Sequence, residues 1–204
     1  TNNQKGSVRI EGHKVKLPKV GWVKLCQHRP LPENSIIKTV TISKTPSGKY
    51  YISMLVEYEN QILPVIPKTF LGLDFAIHGL YVASDEEDAK YPSFLRTAEK
   101  RLAKAQRKLS NKQKGSHNRE KQRLRVAILH EKVANQRRDF LHKKARYLAD
   151  RYDVIGIEDI SVKAMAKRKK GGKFSFGKSV ADNGWNMFTN MLEYKLAWQG
   201  SLSR

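Results

Sequence analysis

The chain has 204 residues, room for one ordinary domain or two small ones, and its 40 Lys and Arg against 19 Asp and Glu give a formal net charge of +21. Self-repulsion on that scale burdens a compact state unless a polyanion relieves it, which makes nucleic acid the leading partner, while a hydrophobic fraction of 39% still permits a core. No apolar run reaches the length of a membrane span, the start Thr1-Asn-Asn-Gln-Lys5 reads as an internal cut without a signal peptide, and the single Cys26 excludes an intramolecular disulfide and a Cys-rich zinc ribbon, in keeping with a reducing cytoplasm.

Ser7–Ile10, Lys14–Leu17 and Gly21–Leu25 read as short extended pieces in which apolar and basic residues alternate, as in a strand with one buried and one wet face. The wet face is almost purely cationic. Ile37–Ser43 and Lys49–Val56 then flank Thr45-Pro-Ser-Gly48, a hairpin turn in which Pro fixes φ and Gly permits a positive value. These strands together predict a small β-barrel or curled sheet. Leu63-Pro-Val-Ile-Pro67 reads as a linker, because two prolines interrupt any ladder.

Phe70–Ile77 and Leu80–Ala83 follow as two strands joined near His78-Gly79, with Ser84–Asp88 as an acidic loop. From about Pro92 to Asp150 the pattern is helical. Phe94, Ala98, Leu102, Ala105 and Leu109 fall on one stripe, and Leu124, Ala127, Ile128, Ala134, Leu141, Ala145 and Leu148 on another. Lys114–Asn118 is the turn between them, which predicts an antiparallel pair with outer faces dense in Lys and Arg. Tyr152–Ile160 has the form of a buried strand that delivers carboxylates to a sheet rim. Lys163–Lys178 carries seven Lys or Arg and no acid, and reads as a loop. Asp182 or Asn183 is placed to cap a last helix running through Met191, Leu192, Leu196 and Trp198.

Two acids stand out. Asp74, inside Leu71-Gly-Leu-Asp-Phe-Ala76, occupies a place where an apolar residue is expected, and burying an unpaired charge is expensive. A divalent cation offsets that cost. Glu158 stands in the same kind of setting on a separate strand. Two hard oxygen ligands from adjacent strand ends suit Mg²⁺, which prefers carboxylate, water and phosphate oxygens. That arrangement fits in-line attack on a phosphodiester, and a two-metal version needs at least one further acid. The alternative is that Asp74 caps a turn and that Glu158 or Asp159 pairs with a nearby Lys. On the helices, the size of the basic face, with a basic barrel and a basic loop to either side, favours a phosphate-tracking surface over an ordinary solvated one. Tyr50, Tyr51, Trp22, Trp185 and Trp198 have the chemistry to stack on bases, but such aromatics are more often core and none is assigned as a binding residue. Cys26 is read as a small core residue. The six histidines show no convincing metal spacing, and there is no nucleophile–base pairing, P-loop or dinucleotide fingerprint.

Lys16-Leu-Pro-Lys-Val-Gly-Trp-Val-Lys24, Leu71–Ile77, Gln136–Lys143, Val154–Ile160 and Trp185 followed by Leu192–Trp198 resemble, in order and spacing, the successive signatures of TnpB, the OrfB-type protein of bacterial insertion sequences. The resemblance covers the chain from roughly Lys16 to the end. It implies an RNA-guided DNA endonuclease related to the compact type V CRISPR effectors. The fold implied is α+β: a wedge-like, nucleic-acid-binding β-barrel over residues 1–66, then an incomplete RuvC-like domain of RNase H fold over 67–204 with a helical-hairpin insertion at 92–150. Asp74 and Glu158 are implied as the first two catalytic, metal-binding acids, with Mg²⁺ or Mn²⁺ as the ion. The implied partners are a guide RNA from the transposon end and target double-stranded DNA, and base pairing supplies the specificity.

From the basic surfaces, the expected nucleic-acid contacts are Lys16, Lys19, Lys24, Arg101, Lys104, Arg107, Lys108, Lys112, Arg137, Arg138, Lys143, Lys167, Arg168, Lys169 and Lys170. Members of this family continue into a Cys₄ zinc ribbon and a third catalytic acid. Neither lies in this sequence, so Zn²⁺ is not expected, and the chain reads either as a piece of a longer protein or as a remnant that binds without cutting. The expected setting is the cytoplasm, at the nucleoid, of a bacterial, archaeal or phage source, with no membrane partner. The rival reading is a guide-RNA or DNA binder acting as a repressor or assembly factor. A ribosome-type basic protein explains the charge but not the two acids.

Overall fold

The alternation in Lys14–Leu17 decides the first layer: Val15 and Leu17 turn inward while Lys14 and Lys16 face solvent. In the computed structural model, which describes residues 3, 6–59, 62, 66–76, 79–87, 89–158, 184–200 and 202–203, the chain divides into two units, Thr1–Gln61 and Ile62–Arg204. In the first, β1 (Arg9–Glu11), β2 (Lys14–Leu17) and β3 (Gly21–Lys24) form an antiparallel sheet in that order, and β4 (Ile36–Lys44) pairs with β5 (Tyr50–Glu57) as a hairpin. Val8, Val15, Leu17 and Val40 make a small core, with Ile10, Leu25, Ile37, Ile52 and Met54 packed around it.

Asn3 ties these pieces together. Val8 N donates to its Oδ1 at 2.7 Å, its Nδ2 donates to Ile37 O at 3.0 Å, and its own N donates to Lys38 O at 2.7 Å. The hairpin turn is as expected: Gly48, at φ 87°, donates to Thr45 O at 2.9 Å. The curled β-structure is therefore two separate sheets over one core, and the ladders among the described residues do not close into a barrel. Cys26 is exposed, contrary to expectation, because it lies just past the end of β3, beyond the last inward position.

The second unit contains a mixed sheet in the order β7-β6-β8-β9, from β6 (Phe70–Phe75), β7 (Tyr81–Ala83), β8 (Val154–Ile157) and β9 (Leu202–Ser203). β7 runs antiparallel to β6, whereas β8 and β9 continue in parallel. The crossover from β7 to β8 contains α1 (Phe94–Ser110) and α2 (His117–Ala149), and α3 (Trp185–Gln199) follows β8. Leu71, Leu73, Phe75, Leu80, Tyr81, Ala83 and Ile155 of the sheet region pack against Leu141, Ala145 and Leu148 of α2 and Trp185, Phe188, Leu192 and Leu196 of α3. Tyr81 stacks on Phe188 with ring centroids 5.6 Å apart, and Phe75 meets Trp185 edge-on at 5.6 Å. Burial pushes the Tyr81 hydroxyl up to about 12.

The α1 stripe is as read, with Leu102 and Ala105 buried. On α2 the expected stripe holds only toward the C-terminus. In the first half Val126, Val133 and Gln122 are buried, whereas Leu124 and Ile128 are 40% and 47% exposed. The helix has two partners in succession, α1 and then α3 with the sheet, so one continuous apolar stripe cannot serve both. Gln122 is fixed on the α1 side by donating from Nε2 to Ala105 O at 3.0 Å. Ile77, His78, Leu63–Val65, Lys163–Lys178 and the expected capping residues Asp182 and Asn183 lie outside the described residues. Among the described residues no helix is long and apolar enough to cross a membrane.

A candidate metal centre and the basic surfaces

Strand alternation on β6 buries Leu71, Leu73 and Phe75 and leaves Phe70, Gly72 and Asp74 on the opposite, solvent-facing side. Asp74 is thus not enclosed by apolar neighbours as its flanking residues suggested. The period of two carries it to the other face of the sheet. Parallel pairing of β6 with β8 sets Leu73 opposite Ile157, and Glu158 N donates to Leu73 O at 3.4 Å, one step beyond the strand. Glu158 follows directly, also exposed, at the carboxyl end of β8. The register thereby brings Asp74 and Glu158 together.

Hydrogen bonding to Asp74, the charge on Asp74 and a smaller desolvation effect push the Glu158 carboxyl above its ordinary value. Phe75 N donates to Asp74 Oδ1 at 2.7 Å, so the local turn-capping role also exists, but it occupies one oxygen only. Among the described residues neither acid has an ion-pair partner, and Asp159 lies outside them. The cost at this site is mutual repulsion at a sheet rim rather than burial. A hard divalent cation suits such a donor set. Two adjacent carboxylates without a counter-charge fit its needs, and no group of three His, Cys, Asp or Glu that could hold a metal occurs among the described residues.

The strands carrying these acids are anchored at their other ends. Asp153 Oδ2 accepts from Lys68 N at 2.9 Å, Thr69 N at 3.0 Å and Thr69 Oγ1 at 2.9 Å, joining the entry of β6 to the entry of β8. Those bonds hold the Asp153 carboxyl below its ordinary value. The acidic loop after β7 is tied to the end of α2: Tyr152 donates to Asp85, and Tyr147 donates to Glu87 at 2.9 Å. The bond from Tyr152 lowers Asp85 in turn. None of these anchors was anticipated from the sequence, although Thr69 and Asp153 each stand next to a strand in a place where a side chain can reach backbone groups.

Of the expected basic contacts, Lys16, Lys19, Lys24, Arg101, Lys104, Arg107, Lys108, Arg138 and Lys143 are exposed. Lys143 pairs with Asp139 at 2.7 Å. Lys112 and Arg137 are half-buried, Arg137 beside Gly184. Lys167, Arg168, Lys169 and Lys170 lie outside the described residues. Arg9 was missed: the β1–β2 register sets it directly opposite Lys16 on the same exposed side.

Residues 53–169, more than half of the chain and inclusive of both acids, match the OrfB_IS605 family model, described as a probable transposase. A Streptomyces pristinaespiralis protein named a putative RNA-guided DNA endonuclease is 38% identical over 173 residues, covering 84% of this chain and 41% of that protein. Escherichia coli K12 InsQ, also named a putative RNA-guided DNA endonuclease, is 34% identical over 201 residues, covering 93% and 49%. The chain therefore spans less than half the length of each. Among solved structures, a cryo-EM Cas12f1–sgRNA–target DNA complex matches 84% of this chain and 36% of that one, with a TM-score of 0.52 at 14% identity, a likeness of fold alone. With its motifs in order and more than half its length matched, the chain belongs to the OrfB_IS605 family of probable transposases.

Proposed function

We propose that the chain is part of a transposon-associated, RNA-guided DNA endonuclease, with the second unit as an incomplete RuvC-like domain and the first as its wedge-like nucleic-acid-binding module. The observation that carries this is the Asp74–Glu158 pair: two carboxyl groups brought together at the ends of parallel strands, without a counter-charge among the described residues, one of them pushed up by the other. Asp74 and Glu158 would hold Mg²⁺, or Mn²⁺ in its place. When bound there, the ion supplies Lewis-acid chemistry, lowering the pKa of a coordinated water and offsetting charge on a scissile phosphate. The chain's own part is positional. Phe75 N orients Asp74, the Asp153 anchor fixes the spacing of β6 and β8, and the exposed basic faces hold guide RNA and target DNA by their backbones.

The test has two readouts. Mn²⁺ binding followed by electron paramagnetic resonance should weaken at least tenfold in Asp74→Asn and in Glu158→Gln, since each removes one of two anionic ligands. In the complete protein, Asp74→Ala should abolish guide-directed cutting of target DNA while guide RNA binding stays intact. Unchanged cutting would remove Asp74 from the mechanism, and a complete protein that binds both nucleic acids without cutting would favour the repressor reading.

A further inference from the structure

The solvent side of the β1-β2-β3 sheet is a cationic platform built around one exposed indole. Register sets Arg9, Lys16 and Trp22 in one cross-strand row and Glu11, Lys14 and Lys24 in the next. Directly opposed residues project from the same side of a sheet, so six side chains share this surface, four of them cationic. The intervening row, Ile10, Val15 and Val23, turns the other way, and its first two members join the small core. Trp22 thus stands on the wet side, 45% exposed, although it is the largest apolar group in the sheet. Lys16 Nζ lies 6.0 Å from the indole centroid, at the outer limit of cation–π attraction. Beside this row Arg9, Lys16 and Lys19 border a recess of about 380 Å³, with Gly6, Ser7, Leu17, Pro18 and Gly21 completing its wall and no acid among them.

We propose that this face binds an unpaired nucleotide of single-stranded RNA, with the base stacked on Trp22 and its phosphate held by Arg9, Lys16 and Lys19 in the recess. The inference rests on the reading of the first unit as the RNA-binding module and assigns it a subsite. An indole needs a free base face, which a duplex does not offer, so the platform selects an unpaired segment. A purely electrostatic surface would have no use for an exposed Trp. Glu11 is the one acid on this side. It repels phosphate, but it accepts a hydrogen bond from a ribose 2′-hydroxyl, a donor that DNA lacks, and on that ground the site is assigned to RNA.

Fluorescence anisotropy of the full chain with labelled oligouridine RNA, and with DNA of matching length, tests this. The wild-type chain should prefer the RNA. Trp22→Ala should weaken RNA binding about tenfold, as expected for loss of one stacked base. Trp22→Phe should keep most of the affinity, and Trp22→Leu, with bulk but no ring, should behave as the alanine variant. RNA carrying 5-iodouridine should photocrosslink to the peptide containing Trp22, a readout independent of how any variant folds. RNA binding by Trp22→Leu equal to wild type, or crosslinks only elsewhere, overturns the subsite and leaves the guide-binding module standing. Equal affinity for DNA overturns the assignment to RNA. A wild-type chain that binds no RNA overturns the subsite and the module together.

Discussion

Asp153 places one carboxylate oxygen against three donors and sends its own N toward Thr69 O at 3.1 Å and Thr69 Oγ1 at 2.9 Å, so a single residue pins the two strands that carry the candidate metal ligands. Those bonds favour the ionised form and hold its carboxyl below the ordinary value in the folded protein. A depressed folded value means that its stabilising contribution is present above the unfolded value and fades as pH falls through the folded one. Asp153→Asn should therefore lower Tm at neutral pH, and the gap to wild type should narrow in the acidic range below the ordinary carboxylate value of 3.8. A gap that is constant with pH in thermal melts would show that the charge plays no part. At this scale the sequence singled out Asp74 and Glu158, but for a reason that fails. It was an apolar neighbourhood that marked them, and the neighbours of Asp74 turn out to point away from it. What joins the pair is the β6–β8 register, a pairing between residues more than eighty positions apart that local pattern does not encode.

Helices and turns were more readable than the strands' partners. The α1–α2 hairpin follows from its two stripes and its turn, where Ser116, in extended backbone, caps α2 by accepting from Arg119 N at 3.2 Å and Gly115 takes φ 80°. The same Arg119 closes the end of α1. Its Nη1 donates to Lys112 O at 2.8 Å and, at 2.9 Å, to Leu109 O, which also accepts from Lys112 N. Arg119 looks from the sequence like one more cation on a basic helix, and only the fold-back shows that it works on the neighbouring element. Arg119→Ala should cost about 1.5–3 kcal/mol, the worth of hydrogen bonds from a charged donor. Hydrogen exchange should quicken in the last turn of α1, while the sheet amides stay protected. An unaltered exchange pattern there would assign the capping to solvent. The half of α2 that faces α1 escaped prediction for a related reason: a polar residue, Gln122, takes a buried place because Ala105 O offers it a bond, and Leu124 and Ile128 are left outside.

At the scale of the whole molecule the dominant fact is a net charge of +21 on 204 residues. The described surface ion pairs, such as Lys143–Asp139 and Arg146–Asp150, are between side chains 44–75% exposed and add little each. Two opposite salt effects follow. In the free protein, added salt screens repulsion among the cations and should raise Tm. In the complex, binding releases counterions from the nucleic acid, so the same salt should weaken affinity for a single strand, by about 300-fold or more between about 50 and 200 mM if six or more phosphates are engaged. A ligand that binds only the folded state stabilises it by RT ln(1 + [L]/Kd), so the Tm gained from single-stranded RNA should shrink as Kd rises over that range. The two melting curves, bare and RNA-bound, should therefore converge from opposite sides as NaCl rises. A bare protein whose Tm is flat or falls with salt would mean that the fold already balances its own charge. The basic faces would then be ordinary solvated surface rather than a nucleic-acid interface.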